Sequence, residues 1–300
     1  MRRVPERRMT PAAFVKFQHA ALLLFACVLA GCSVLAPRHD WEDRLRGDAV
    51  VLLGEVHDNA EHHRQRLAVL RRAFAAGWRP AIAMEQFDRE RQADIERARR
   101  ERPGDALYVI ALAASSNSAS GRGWNWDFYR PFVELALEYD VPLVAANLST
   151  ADTDKVARAG FGAAFAAETL ASLGLNAAIP PELQAAQERE IDAGHCHALP
   201  QSSWPAMARA QFARDAVMAA VLREHVVHGV VLLAGNGHVR REIGVPRWLG
   251  STEQARAFAV GYLEESESPA PPGYFDAAVW TVAATRPDPC AELTKRGGRP

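Results

Sequence analysis

The chain has 300 residues, 49% of them hydrophobic and 24% charged, with a formal net charge of −1. That composition suffices for a sizeable core and excludes a chain that is disordered, collagen-like or coiled coil throughout. Thirty-five Lys and Arg against 36 Asp and Glu leave no basic footprint, so no nucleic-acid partner is expected. The charge is nevertheless unevenly placed. Residues 1–31 hold five basic groups (Arg2, Arg3, Arg7, Arg8, Lys16) and one acid (Glu6), which makes them +4 and the remainder −5.

In chain order, the basic stretch leads into residues 20–30 (AALLLFACVLA), an uncharged run of 11. Crossing a bilayer takes about 20 apolar residues, so this run reads as the h-region of a secretory signal. Met9 offers an alternative start with a more usual n-region. Leu29-Ala30-Gly31-Cys32 resembles the bacterial lipobox, which implies cleavage before Cys32 and a lipid on its thiol. Ser33, where an aspartate would favour retention at the inner membrane, then implies the outer membrane. Residues 32–47 read as a tether, 48–285 as the folded domain and 286–300 as a tail. With Cys27 in the leader and Cys32 lipidated, Cys196 and Cys290 are too few for a disulfide framework. Their spacing leaves open whether they bond.

Residues 49–53 (AVVLL) form an uninterrupted apolar run, the pattern of a strand covered on both faces. A helix is expected from Asp58, with Glu61 completing a variant capping box and His63, Leu67, Leu70 and Phe74 on one stripe. Gly77-Trp78-Arg79-Pro80 ends it, and residues 81–84 are a second short strand. This βαβ unit predicts a mostly parallel sheet with a right-handed crossover. Helices follow at 88–100 and 128–139, then strands at 142–146 (PLVAA) and 229–234 (GVVLLA). Residues 257–262 and 277–282 add edge strands. The stretch 150–228, between the third and fourth strands, is helical in character and far longer than a crossover. The expected fold is thus α/β, a sheet flanked by helices with a large helical lobe inserted.

Ligands of open α/β sheets bind beyond the carboxyl ends of the strands. Glu55 and His57 follow the first strand, Glu85 the second, Asn147 the third and His238 the fourth, in the loop Gly235-Asn236-Gly237-His238. Two His and two Glu at one edge suit a polar pocket, for a divalent metal or for acid–base work. The lobe carries a second cluster, Gly194-His195-Cys196-His197. Adjacent residues rarely ligate one ion together, whereas an axial ligand to a porphyrin needs only one of them in an apolar surround. Leu199, Trp204 and Met207 can supply that surround. On the long helix from Pro205, Arg214 interrupts an apolar stripe with Gln211 and can pair with a carboxylate or a ligand's propionate. His63, on its core stripe, reads as a buried structural histidine.

Four segments in order, VVLLGEVHDNAEHHRQ (50–65), AIAMEQFD (81–88), MARAQFARDAVMA (207–219) and VVLLAGNGHVRREIGVPRWL (230–249), resemble the ChaN family of haem-binding, iron-regulated lipoproteins within the Tiki/erythromycin-esterase superfamily. The resemblance spans roughly residues 40–265. It implies an α/β fold with a helical lobe, haem bound cofacially between two subunits, and a role in iron acquisition at the outer membrane. The Glu55, His57, Glu85 and His238 set looks like the pocket that other branches are proposed to use for metal-dependent hydrolysis, which keeps a metal-dependent or His-based hydrolase as the alternative reading. ChaN-like proteins are associated with an axial tyrosine in the lobe, yet no tyrosine lies between residues 140 and 261. Ligation of haem iron would then fall to His195 or His197, or to Cys196, with Met207 and Arg214 beside them.

Overall fold

Why the strands are buried runs and the helices amphipathic is visible in a computed structural model, which describes residues 38–45, 50–114, 123–265, 271–288 and 290–291. The signal segment, Cys32 and the last residues of the tail lie outside the described residues. Strand β1 (Val50–Leu53) is covered on both faces, as an all-apolar run requires. Helix α1 (Ala60–Ala75) begins one residue later than the capping pattern predicts: Asn59, not Asp58, accepts from the backbone N–H groups of Glu61 and His62. Strand β2 (Ala81–Asp88) continues past Met84 through Glu85 and Gln86, so these polar residues are themselves strand residues.

Helices α2 (Gln92–Glu101), α3 (Ala106–Ala113) and α4 (Trp126–Glu138) lead to β3 (Leu143–Asn147). Helix α3 is not announced by the sequence, because eight apolar residues in a row show no amphipathic period. The lobe follows as α5 (Thr150–Ala159), α6 (Ala167–Leu173), α7 (Pro181–Gly194) and α8 (Trp204–Arg223). After β4 (Val230–Leu233) come the short α9 (Asn236–Val239) and α10 (Ser251–Ala255), then β5 (Ala257–Glu264) and β6 (Ala277–Thr281).

The six strands form one sheet in the order β3-β2-β4-β1-β5-β6, and every pairing is parallel. Strand β5 is therefore interior, hydrogen-bonded to β1 and β6, and only β6 is an edge strand on that side. The β3 edge is blunted by Gln92, whose amide donates to Leu143 O at 3.1 Å and accepts from Ala145 N at 2.8 Å. One core layer packs α1, α3 and α4 on the sheet, and the other packs α8.

Both flanking segments are fastened to this body. Glu42, in a 3-10 turn spanning Asp40–Arg44, accepts two hydrogen bonds of 2.8 Å from Arg72, and Leu45 is buried, so residues 38–45 dock rather than tether. Arg286 donates to Glu264 and Asp58, and Cys290 is disulfide-bonded, so no free tail begins at 286. No helix among the described residues is long and apolar enough to cross a membrane.

Candidate functional site

Strand register sets the first wall of the site. Leu233 of β4 pairs with Leu53 of β1 on one side and with Met84 of β2 on the other. Glu55 and Gly235, each two residues beyond that level, and Glu85, one beyond, therefore emerge together at the carboxyl edge. The chain order reverses here, with β4 returning between β2 and β1, which is where such sheets open a crevice. The loops approach very closely. A Cβ on Gly54 would collide with Asn236 Oδ1, and one on Gly235 would lie 2.9 Å from His57 Cε1.

Helices α7 and α8 supply the opposite wall. Between the walls is a cleft of about 540 Å³ lined by Glu55, His57, His238 and, from the lobe, Gln187, Ile191, His195, Gln211 and Asp215. The strand-end cluster and the lobe cluster, which look separate in the sequence, thus meet at His195. Of the other lobe candidates, Cys196, His197, Met207 and Arg214 do not line this cleft.

Glu55 is the hub of the sheet wall. Its Oε1 accepts from Tyr129 OH at 2.6 Å and from His57 Nδ1 at 2.8 Å, while Oε2 meets the buried guanidinium of Arg66. Burial lowers the Arg66 pKa to about 10, with Tyr129 and Tyr262 opposing, and the side chain stays cationic at neutral pH. His63 Nε2–H donates to His57 O at 3.0 Å and its Nδ1 accepts from Arg66 at 3.0 Å; burial drives its pKa down to about 4, so it is a neutral structural histidine. Burial likewise pushes the Tyr129 phenol well above its ordinary value, so it is a hydrogen-bond donor and not a phenolate. His57 itself is half-exposed, lines the cleft and stands edge-on to Trp124 with ring centroids 5.0 Å apart.

His238 is not free at the rim. Its Nδ1 lies 2.6 Å from Asp215 Oδ1 and its Nε2 3.5 Å from Glu85 Oε1, while Glu85 Oε2 accepts from Gly235 N at 2.8 Å. Burial disfavours the His238 cation, but the charges of Glu85 and Asp215 overrule it and raise the pKa to about 10. Burial lifts Asp215 to about 6 against the pull of His238. Burial would raise Glu85 too, yet His238 holds it well below the usual carboxylate range. At neutral pH His238 is therefore a locked cation, unsuited either to abstract a proton or to bind iron. Among the described residues no three His, Cys, Asp or Glu side chains are placed to hold a metal ion, so the divalent metal of the alternative reading finds no ligand set.

The lobe candidates separate sharply. Cys196 is bonded to Cys290, which removes it as a thiolate ligand. His197 is largely exposed and gives Nδ1 to Asp192 Oδ2 at 2.7 Å, away from the cleft. Met207, Trp204 and Leu199 pack into the lobe's own core around Leu183, Ile191 and Phe212. Arg214 is half-buried and lends positive potential to Asp215 without lining the cleft. Asn147 is buried with its Oδ1 unpartnered among the described residues and also lies outside the cleft. His195 lines the cleft, and its Nδ1 lies 2.7 Å from Ile191 O. A carbonyl accepts, so Nδ1 carries the proton and Nε2 is left with the lone pair.

Asp215 and Tyr129 are site residues that the strand-end pattern does not disclose. Asp215 lies four residues after Gln211, on the same face of α8, and that spacing could have found it. Tyr129 is an isolated polar-tipped residue in the buried stripe of α4, a weak signal by itself.

A parallel sheet with a helical lobe closing a polar cleft over its carboxyl edge defines an α/β protein of the ligand-binding kind. The chain belongs to the family described as haem-binding uptake, Tiki superfamily, ChaN, whose profile matches residues 41–249. No curated protein matches it. Among solved structures it is similar to ChaN of Campylobacter jejuni with cofacially bound haem, at 21% identity over 76% of this chain and 86% of that one, with a TM-score of 0.58. It is also similar to an erythromycin esterase EreC variant in its open conformation, at 13% identity over 79% of each chain and a TM-score of 0.41. The type III effector HopBA1 aligns at 10% identity over 81% of this chain and 92% of that one, with a TM-score of 0.44.

Proposed function

We propose that this protein binds haem in the cleft between the sheet edge and the lobe, with His195 as an iron ligand, and serves haem or iron acquisition as an outer-membrane lipoprotein anchored through Cys32. One observation carries the ligand assignment. His195 stands at the cleft with Nδ1 engaged by a backbone carbonyl and Nε2 free, the arrangement by which proteins orient an iron-ligating imidazole. His57 repeats it on the facing wall, with Glu55 engaging Nδ1. These imidazoles take the place of the tyrosine that the lobe lacks, and Tyr129 is unsuited because its hydroxyl is spent on Glu55. Haem bound here would be cargo rather than a reagent, held through its iron by His195 and His57. Membership of the family supports the haem reading, and the lipobox-like Leu29-Ala30-Gly31-Cys32 supports the anchor.

Titration of the purified protein with haemin tests this. The expected result is a Soret shift of histidine type, with affinity reduced at least tenfold in His195→Ala and unchanged in His197→Ala. No shift in the wild-type protein would overturn the haem reading; equal binding by His195→Ala would overturn the ligand assignment.

A further inference from the structure

The loop that carries His195 is tied to a distant part of the chain. Cys196 and Cys290, 94 positions apart in sequence, form a disulfide with Cα atoms 5.5 Å apart. Cys196 and His197 both adopt φ +57°, the left-handed region that non-glycine residues seldom occupy and very seldom in succession. Such a conformation persists only when its surroundings hold it. On the α7 side the holding bonds are Cys196 N to Ala193 O at 3.0 Å and His197 N to Asp192 O at 2.9 Å. On the other side is the disulfide.

The segment bearing Cys290 is itself anchored near His57. Arg286 donates to Asp58 at 2.8 Å and to Glu264 at 2.9 Å, and Glu264 accepts from Asn59, the N-cap of α1, at 2.8 Å. Four peptide units separate Arg286 from Cys290, at most about 14 Å of extended chain. The disulfide therefore links the wall that carries His57 to the loop that carries His195. Cys196 and Cys290 are both half-buried rather than sealed in the core.

We propose that the Cys196–Cys290 disulfide is a redox-sensitive clamp on the cleft: intact, it holds the His195 loop in its ligating conformation, and its reduction loosens that loop and weakens haem binding. The inference rests on the haem reading. The reductant is a dithiol. One of its thiolates attacks a sulfur of the bridge, the S–S bond breaks to a mixed disulfide, and the second thiol resolves it. Two electrons and two protons pass to the protein, leaving Cys196 and Cys290 as thiols and the dithiol as its own disulfide. Freed of the bridge, two consecutive left-handed residues relax, and the imidazole beside them loses its fixed position.

The test compares three preparations: the oxidised wild-type protein, the same protein reduced by a trialkylphosphine and desalted, and the double variant Cys196→Ser/Cys290→Ser. Amide exchange of residues 192–198 is measured without haemin, and haemin affinity by Soret titration. Faster exchange in this loop together with a tenfold or greater rise in haemin Kd, in both the reduced protein and the double variant, is the expected result. The reduced wild-type protein keeps the test valid where the double variant fails to fold. Unchanged exchange on reduction overturns the clamp, and faster exchange with unchanged Kd overturns its coupling to the site. An oxidised protein that binds no haemin overturns the haem reading and the coupling with it, an outcome told apart from failure of the clamp because the exchange data need no haemin.

Discussion

Asp215, His238 and Glu85 form a buried chain of charge that the strand-end pattern only half discloses. His238 and Glu85 follow predicted strands, while Asp215 arrives from the lobe to complete the set. Removing the middle member strands two acids without their cation, and breaking a buried pair in this way costs about 3–5 kcal/mol. His238→Ala is thus expected to lower unfolding stability by that amount in a urea melt. A loss below about 1 kcal/mol would mean that the three charges are effectively solvated. The alkaline limb follows the same group. Its folded pKa of about 10 stands above the ordinary 6.5, so its contribution is complete below pH 6.5 and disappears as pH rises through 10. At the same scale, no spacing tells His195 from His197: the first lines the cleft, and the second is exposed and paired with Asp192.

Helix α1 shows how one element serves both the core and the site. Its cap, Asn59, binds Glu264 and Val282 O as well as its own first turn, locking the helix to the far end of the sheet. From that fixed start it projects His62, His63 and Arg66 inward, all buried. Burial lowers the pKa of His62 and of His63 from 6.5 to about 4. Both are neutral in the native state and charged in the unfolded one at mildly acid pH, so the stability they represent is full above pH 6.5 and drains as pH falls towards 4. The loss expected is roughly 3 kcal/mol per histidine over that window. Melts between pH 7 and 4 check it, and His63→Gln, which keeps a donor but does not titrate, is expected to flatten the fall. The start of α1 was legible in sequence to within a residue. The length of β2 was not, because Glu85 reads as chain leaving the sheet until its partner Gly235, just beyond β4, is known.

For the whole molecule, the partition of charge bears on where the protein resides and the topology bears on what it holds. A +4 segment over residues 1–31 and a −5 remainder suit the exported, lipid-anchored protein proposed above. Labelling with a palmitate analogue is expected for the wild-type protein and absent in Cys32→Ala; labelling of both would sink the anchor. A cleft bounded by an exposed lobe also suits a haem shared between two copies, as the family resemblance implies. Sedimentation is then expected to show a monomer that becomes a dimer on addition of haemin, and a species of unchanged size with haem bound would contradict the shared site.

Local chemistry by itself determined the parallel α/β class, the inserted lobe and the edge from which Glu55, His57, Glu85 and His238 emerge, because buried strands and their first turns are written in short runs of sequence. Which of those residues stay available was decided only by tertiary structure. Locking His238 takes Asp215 from 23 residues away, and engaging Cys196 takes Cys290 from 94 away. His195 closes α7 just ahead of a left-handed pair, Cys196 and His197, that no side-chain pattern announces. Pairings across such separations depend on how the chain is wound, and the winding is settled by the packing of the sheet and its lobe as a whole.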